Sequence, residues 1–183
     1  MEKEVEVKLL GLDNKDIEEK LVNLGAELIG KEEQENIIID SSINPIDPKA
    51  KGYLRIRTTK NLLTGEKTIF FTFKKHISDK EVRENIEYNT IVNKKDDLIQ
   101  TLKALGYDKY DTGYKERTSY IYKNMKFEFD SWDKETYPFP YIEVEFRCKE
   151  DLYDVLNKLN VDKRAISTKS IAELKKIYKN SIS

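Results

Sequence analysis

The sequence holds one cysteine, Cys148, and one histidine, His76. A lone cysteine can make no disulfide within the chain and no cysteine metal cluster, which fits a reducing compartment. A Ser/His/Asp triad or a histidine-ligated metal would rest on His76 alone, so those chemistries are disfavoured. Its setting, Lys74-Lys75-His76-Ile77, predicts a loop residue. No stretch approaches the roughly 18 apolar residues of a membrane span. The first residues, Met1-Glu2-Lys3-Glu4, are charged where a signal peptide needs an apolar run, so a cytoplasmic location is expected. The net charge of −1 leaves no overall field for nucleic acid or acidic lipid, and neither partner is expected.

What the sequence has in excess is charge of both signs. Asp, Glu, Lys and Arg make up 37% of its 183 residues, against about 25% in an average domain. Tyr and Phe are plentiful and apolar positions recur throughout, which favours a packed fold over disorder. The length suits one domain across residues 1–183.

Apolar residues at helical spacing predict helices over residues 13–24, 93–105, 149–159 and 170–178. Gly25 and Gly106 follow the first two as stop signals, and Ser170 offers a cap to the last. Period-two alternation predicts eight strands, over residues 4–8, 35–40, 53–57, 69–75, 82–92, 114–122, 125–130 and 141–146. Residues 63–66 suit a hairpin connection, Lys123-Asn124 suits a tight turn, and Tyr137-Pro138-Phe139-Pro140 interrupts any ladder before the last strand. Residues 4–75 and 82–146 each read strand, helix, three strands, with Leu24-Gly25 and Leu105-Gly106 at matching places. The expected fold class is α+β: a closed eight-stranded antiparallel β-barrel with helices packed outside.

Residues at i, i+2 and i+4 of a strand share a face. On that basis Glu4, Glu6 and Lys8 lie opposite Val5 and Val7, and Arg55 and Arg57 opposite Leu54 and Ile56. Thr72 and Lys74 oppose Phe71 and Phe73, and Arg83, Asn85 and Glu87 share one face of the fifth strand. Lys115 pairs with Arg117, Glu128 with Asp130, and Glu143 with Glu145. A sheet with its charged side in water is the plain alternative. Such faces usually mix in Ser, Thr and Gln, whereas these are almost purely ionic and often single-signed. If the barrel closes with the charged face inward, like-sign repulsion rises, and a bound cation and polyanion would offset it.

Carboxylates without imidazole or thiolate favour a hard cation, Mg²⁺ or Mn²⁺. Glu4 and Glu6 could serve one metal, and Glu128, Asp130, Glu143 and Glu145 could complete that site or build a second. The bases Lys8, Arg55, Arg57, Lys74, Arg83, Lys115 and Arg117 suit several phosphate groups at once. Metal and bases together suit phosphoryl transfer to water.

The motifs resemble those of CYTH proteins, also called triphosphate tunnel metalloenzymes. Glu4-x-Glu6-x-Lys8 is similar to the family's Glu-x-Glu-x-Lys signature. Leu54-Arg55-Ile56-Arg57, Phe73-Lys74, Arg83 with Glu87, Lys115-x-Arg117, Glu128-Phe129-Asp130 and Ile142-Glu143-Val144-Glu145 resemble its later strands in order. The resemblance implies a triphosphate-binding tunnel. Glu4, Glu6 and Glu145 would be metal ligands, with Glu87, Glu128, Asp130 and Glu143 in or near the metal sites. Lys8, Arg55, Arg57, Lys74, Arg83, Lys115 and Arg117 would hold a triphosphate. Glu4, Glu6 and Lys8 would be catalytic, Lys8 by polarising the attacking group. Lys169-Ser170 falls where members often carry a Lys-Ser pair on the last helix. Asn85 departs from the pattern, standing where the fifth strand usually has an acid, which puts a second metal site in question.

The implied activity is hydrolysis of inorganic triphosphate, a nucleoside triphosphate or thiamine triphosphate. A class IV adenylyl cyclase, a non-catalytic polyphosphate or nucleotide binder, and a charged-surface sheet protein are the alternatives. The family's cyclases carry a His-Phe pair shortly before the first signature, and none precedes Glu4, which favours hydrolysis. Residues 137–141 and 58–68 could cap a tunnel mouth, though ordinary loop packing is the favoured reading. A homodimer is compatible with the sequence, which does not specify oligomeric state.

Overall fold

Alternation of charged and apolar residues produces strands, and the helical repeats produce the helices that cover them. A computed structural model describes the backbone of residues 2–182 and the side chains of residues 3–181. Chain order is β1 (Glu2–Leu9), α1 (Asn14–Asn23), β2 (Glu27–Asp40), β3 (Gly52–Asn61), β4 (Lys67–Ser78), β5 (Arg83–Ile91), α2 (Lys95–Ala104), β6 (Lys109–Tyr122), β7 (Met125–Trp132), β8 (Tyr141–Glu145), α3 (Lys149–Lys158), β9 (Ile166–Ser167) and α4 (Ile171–Ile182).

The strands run in the order β5-β4-β3-β2-β6-β7-β8-β1, and β5 pairs with β1 to close the ring. Every pairing is antiparallel. Exchanging the first four strands with the second four reproduces this order in reverse, so the two sequence halves are related in space as well as in pattern. Two-residue β9 extends the edge of β1 that β5 leaves, pairing Lys8 with Ser167 and Leu9 with Ile166.

Core packing lies on the outside of the barrel. Ile17 and Leu21 of α1 and Leu152, Val155 and Leu156 of α3 pack on Val7, Leu9, Phe127, Ile142 and Val144. Leu102 of α2, with Leu98 and Ile99, packs on Ile37, Ile39 and Ile56. In contrast, α4 covers one end of the barrel, where Ile171 and Leu174 meet Tyr137, Tyr141 and Trp132. No helix among the described residues is long and apolar enough to cross a membrane.

Local signals set the boundaries. Asp13 caps α1 by accepting from the Lys15 and Asp16 amides, and Gly25 follows with φ +94°. Ser170 and Glu173 form a reciprocal capping box at the start of α4: the Ser170 hydroxyl accepts from the Glu173 amide at 3.2 Å, and the Ser170 amide donates to Glu173 at 2.7 Å. The Lys169-Ser170 pair therefore precedes the last helix. Lys123 and Asn124 both have positive φ, the two-residue hairpin geometry that matches strand twist.

Some expected boundaries shift. β2 and β6 are each 14 residues, well beyond the predicted 35–40 and 114–122. The added β2 segment, Glu-Leu-Ile-Gly-Lys-Glu-Glu-Gln, has no clean alternation and contains a register shift between Leu28 and Gly30. It pairs with β6 throughout and over part of its length with β3, so its ladder comes from long-range neighbours. His76 is not a loop residue. It lies within β4 and pairs with Asn85 of β5, because the strand continues past Lys75 to Ser78.

Candidate active site

The charged faces point into the barrel, as ion pairs that skip a strand demonstrate. Lys74 of β4 reaches Glu4 of β1 at 2.6 Å across β5. Arg55 of β3 reaches Glu87 of β5 at 3.4 Å across β4, and Arg117 of β6 reaches Glu143 of β8 at 3.5 Å across β7. Side chains can span an intervening strand in this way only from the inner face. Glu6 and Glu128 are 2% and 1% exposed, a burial that charged residues show only when paired or liganded.

Two regions of opposite sign share the interior. On the acidic side, Glu128, Glu143 and Glu145 present oxygens all within 4.8 Å of one another. Lys8 lies 2.7 Å from Glu143 and 3.5 Å from Glu6. Lys74 lies 2.6 Å from Glu4, 3.2 Å from Glu87 and 3.7 Å from Glu6. Burial alone would lower the Lys74 ammonium, but Glu6, Tyr53 and Glu4 hold it well above the ordinary lysine range. Glu6 Oε2 is buried without a hydrogen-bond partner among the described residues.

Arg57, Arg117 and Lys115 form the basic side, which meets the acidic one at Arg117, paired with Glu128 and, at 3.5 Å, with Glu143. Asp130 accepts from Arg117 Nε at 2.6 Å and Nη2 at 2.7 Å, and from Lys115 Nζ at 2.9 Å. Burial would raise the Asp130 carboxyl, but the Arg117 and Lys115 charges hold it below its usual value. Arg57 forms no ion pair among the described residues. Its Nε has no hydrogen bond, and its guanidinium lies over the Phe70 ring at 5.3 Å.

The expected site residues thus divide into groups. Glu128, Glu143 and Glu145 come together as an oxygen cluster, with Lys8 bridging Glu143 to Glu6. Glu4 and Glu87 meet at Lys74, and Asp130 is held between Lys115 and Arg117. Arg83 lies 3.7 Å from Glu6 and donates to the Thr168 carbonyl at 3.0 Å, tying β1 to the segment before α4. Asn85 donates to Glu6 Oε1 at 3.2 Å, so the amide orients an acid where a carboxylate would repel it.

Other interior residues escaped the sequence reading. Lys126 shares the face of Glu128 and pairs with it and, at 3.7 Å, with Glu145. Extending the β7 alternation two residues toward its start would have revealed it. Gln34 and Asn36 pair in register with Thr59 and Arg57, which turns them inward; Gln34 lies in the irregular start of β2, and Asn36 precedes three consecutive isoleucines that leave the faces of that strand undefined in the sequence. A cavity of about 280 Å³ is lined by Gln34, Arg57, Thr59, Phe70, Arg117 and Lys126, among others. Toward the opposite end, Tyr141 is buried beside Lys8 and accepts from Trp132 Nε1 at 3.0 Å, so this end is filled by packing.

The donor set suits a hard divalent cation. It consists of carboxylate oxygens with neither imidazole nor thiolate, and Glu6 nearby has a buried oxygen that makes no hydrogen bond, its contact with Lys74 being 3.7 Å. Burial, and then the adjacent Glu128 carboxylate, push the Glu145 carboxyl up to about 7. Glu145 therefore holds its proton more tightly in the folded protein than in the unfolded chain. This contribution stabilises the metal-free fold below the ordinary carboxylate range and is lost as pH rises through about 7. Glu145→Gln cannot titrate. Without divalent metal, the melting temperature of this variant minus that of wild type is expected to grow by about 5 °C between about pH 5 and 8. A flat difference would contradict the stated crowding of carboxylates.

The CYTH domain profile matches residues 2–176. No curated protein matches the chain. Among solved structures, the PH1012 protein of Pyrococcus horikoshii OT3 is 28% identical, with 93% of this chain and 98% of that one aligned at a TM-score of 0.74. A candidate adenylate cyclase from Vibrio parahaemolyticus is 16% identical, covering 93% of this chain and 95% of that one with a TM-score of 0.71. HpAC1 from Hippeastrum, a candidate adenylyl cyclase described as having a dominant triphosphatase activity, is 13% identical, covering 93% of this chain and 91% of that one at 0.62. The last two similarities concern the fold.

Proposed function

The chain belongs to the CYTH domain family, and from that premise we propose that it is a divalent-metal-dependent triphosphatase acting inside the barrel. The observation that carries this reading is that one barrel interior holds the convergent Glu128, Glu143 and Glu145 carboxylates and, beside them, a cavity lined by Arg57, Arg117 and Lys126. A cation suits the three clustered carboxylates, and a polyanion suits Arg57, which has no ion pair among the described residues. The cavity, about 280 Å³, lies at the small end of the usual ligand-pocket range and has a largely polar wall, which favours a compact triphosphate.

Glu128, Glu143 and Glu145, with Glu6 and Glu4 nearby, would hold Mg²⁺ or Mn²⁺. Such an ion supplies charge neutralisation for phosphoryl oxygens and a lowered pKa for bound water. Arg57, Arg55, Lys74, Lys115 and Arg117 would bind the phosphate chain and stabilise charge on the departing diphosphate. Asp130 keeps Arg117 aimed across the tunnel. Lys8, fixed between Glu143 and Glu6, would donate to an oxygen of the phosphoryl group under attack. In the overall reaction a water oxygen bonds to the terminal phosphorus and the bridging P–O bond breaks. The products are phosphate and diphosphate, and the water protons pass to product and solvent.

The test incubates the protein with inorganic triphosphate, ATP and thiamine triphosphate, each with Mg²⁺ or Mn²⁺ and each with excess chelator. Metal-dependent phosphate release from at least one of them is the expected outcome. Cyclic AMP with pyrophosphate would make it a cyclase, binding without turnover would make it a binding module, and full activity in chelator would overturn the metal requirement.

A further inference from the structure

Lys126 occupies a position between two functions. It lies on the inner face of β7, its ammonium pairs with Glu128, and it sits 3.7 Å from Glu145 Oε1. These are two of the three carboxylates that converge within 4.8 Å. Among the described residues, Glu145 has no other ion pair. The same lysine lines the cavity into which Arg57 and Arg117 face. Its side chain is 34% exposed, while those of Lys115 and Arg117 are 6% and 9% exposed. Lys126 is therefore the looser cation, and a lysine ammonium is a compact charge on a flexible stem.

We propose that Lys126 is a resident counter-ion of the Glu128–Glu143–Glu145 cluster, displaced toward the cavity when a divalent cation binds and there available to a phosphate of the substrate. The proposal rests on the reading that this cluster takes a metal. Its physical basis is charge balance. Three carboxylates this close repel one another; in the metal-free protein Arg117 pairs with Glu128 and Glu143 and Lys8 with Glu143, while Lys126 pairs with Glu128 and is the one cation on Glu145 among the described residues. A divalent ion brings more charge to the same oxygens, and a monovalent and a divalent cation a few ångströms apart repel strongly at the dielectric of a partly buried site. The ammonium must then withdraw, and its stem leads to the cavity. By linkage, metal binding would raise affinity for a triphosphate through Lys126, and triphosphate would raise affinity for metal by the same factor.

The test uses Mn²⁺ alone, titrated calorimetrically into wild type, Lys126→Gln, Lys126→Met, Lys126→Arg and Glu145→Gln. Removing the competing charge is expected to tighten Mn²⁺ binding about tenfold or more in the Gln and Met variants. Lys126→Arg should stay near wild type, since it keeps the charge. A second titration adds a non-hydrolysable imido-linked triphosphate with and without Mn²⁺; the Mn²⁺-dependent gain in its affinity should shrink in the Gln and Met variants. Thermal denaturation supplies an independent readout, with Mn²⁺ raising the melting temperature of Lys126→Gln more than that of wild type. Folded Gln and Met variants that bind Mn²⁺ no more tightly than wild type would overturn the proposal while leaving the metal site intact. Wild type that binds no Mn²⁺ would overturn the metal site itself, and the proposal with it. Wild type that binds it while Glu145→Gln does so equally well would place the ion elsewhere and also defeat the assignment.

Discussion

Replacing Arg57 by methionine is expected to lower kcat/KM for the triphosphate substrate by about 100- to 1000-fold, the range for removing one preorganised charge-stabilising donor, while leaving metal-free stability unchanged or slightly higher. The reason is its isolation. Burial and then the like charges of Arg55 and Arg117, only partly offset by Glu87 and Glu128, lower the guanidinium from its ordinary range. No described acid pairs with it, and Phe70 supplies its close contact. Methionine keeps the apolar contact and relieves the repulsion. An arginine that adds little to the fold but faces the tunnel is available for a ligand. Steady-state kinetics and thermal denaturation together test this. A large fall in melting temperature, with activity restored at lower temperature, would mark Arg57 as structural.

Asp130→Ala should have the opposite profile, with a loss of about 3–5 kcal/mol of stability because buried Lys115 loses its ion-pair partner and Arg117, which keeps Glu128 and Glu143, loses its bidentate one. For a chain of this length that corresponds to roughly 6–20 °C in melting temperature. Asp130 is 1% exposed, and both its oxygens are taken by Arg117 and Lys115. Its lowered carboxyl contributes stability above the ordinary aspartate range, and that contribution disappears as pH falls through the lower folded value. Wild type and variant should therefore converge in melting temperature toward acid. Combining Asp130→Ala with Lys115→Met should recover part of the loss, since Asp130 is the one ion-pair partner of Lys115 among the described residues. A single variant as stable as wild type at neutral pH would show that the two cations find other partners.

On sequence alone Arg57 and Asp130 both read as ligand-facing charges. Its place beside Glu128 groups Asp130 with the acids expected in or near the metal sites; in the folded chain its two oxygens accept from Arg117 and Lys115. Asn85, which raised a question over a second metal site, hydrogen-bonds an acid of the first strand. Lys126 stands just before the first phenylalanine of β7, where the alternation is least marked, Gln34 lies in the irregular start of β2, and Asn36 stands before three consecutive isoleucines.

Alternation is a local property: each residue's face follows from its immediate neighbours, so the charged and apolar sides of most strands could be read from the sequence by itself. The apolar side also announced the helices that would cover it, and the repeated strand-helix-strand pattern announced the two related halves. Which acid meets which base could not be read there. Glu4 and Lys74 are separated by 70 positions and brought within 2.6 Å only because β5 closes the ring against β1. Strand order and register are decided by pairings between distant segments, and they alone determined which charges neutralise one another, which remain unpartnered, and where a ligand can take their place.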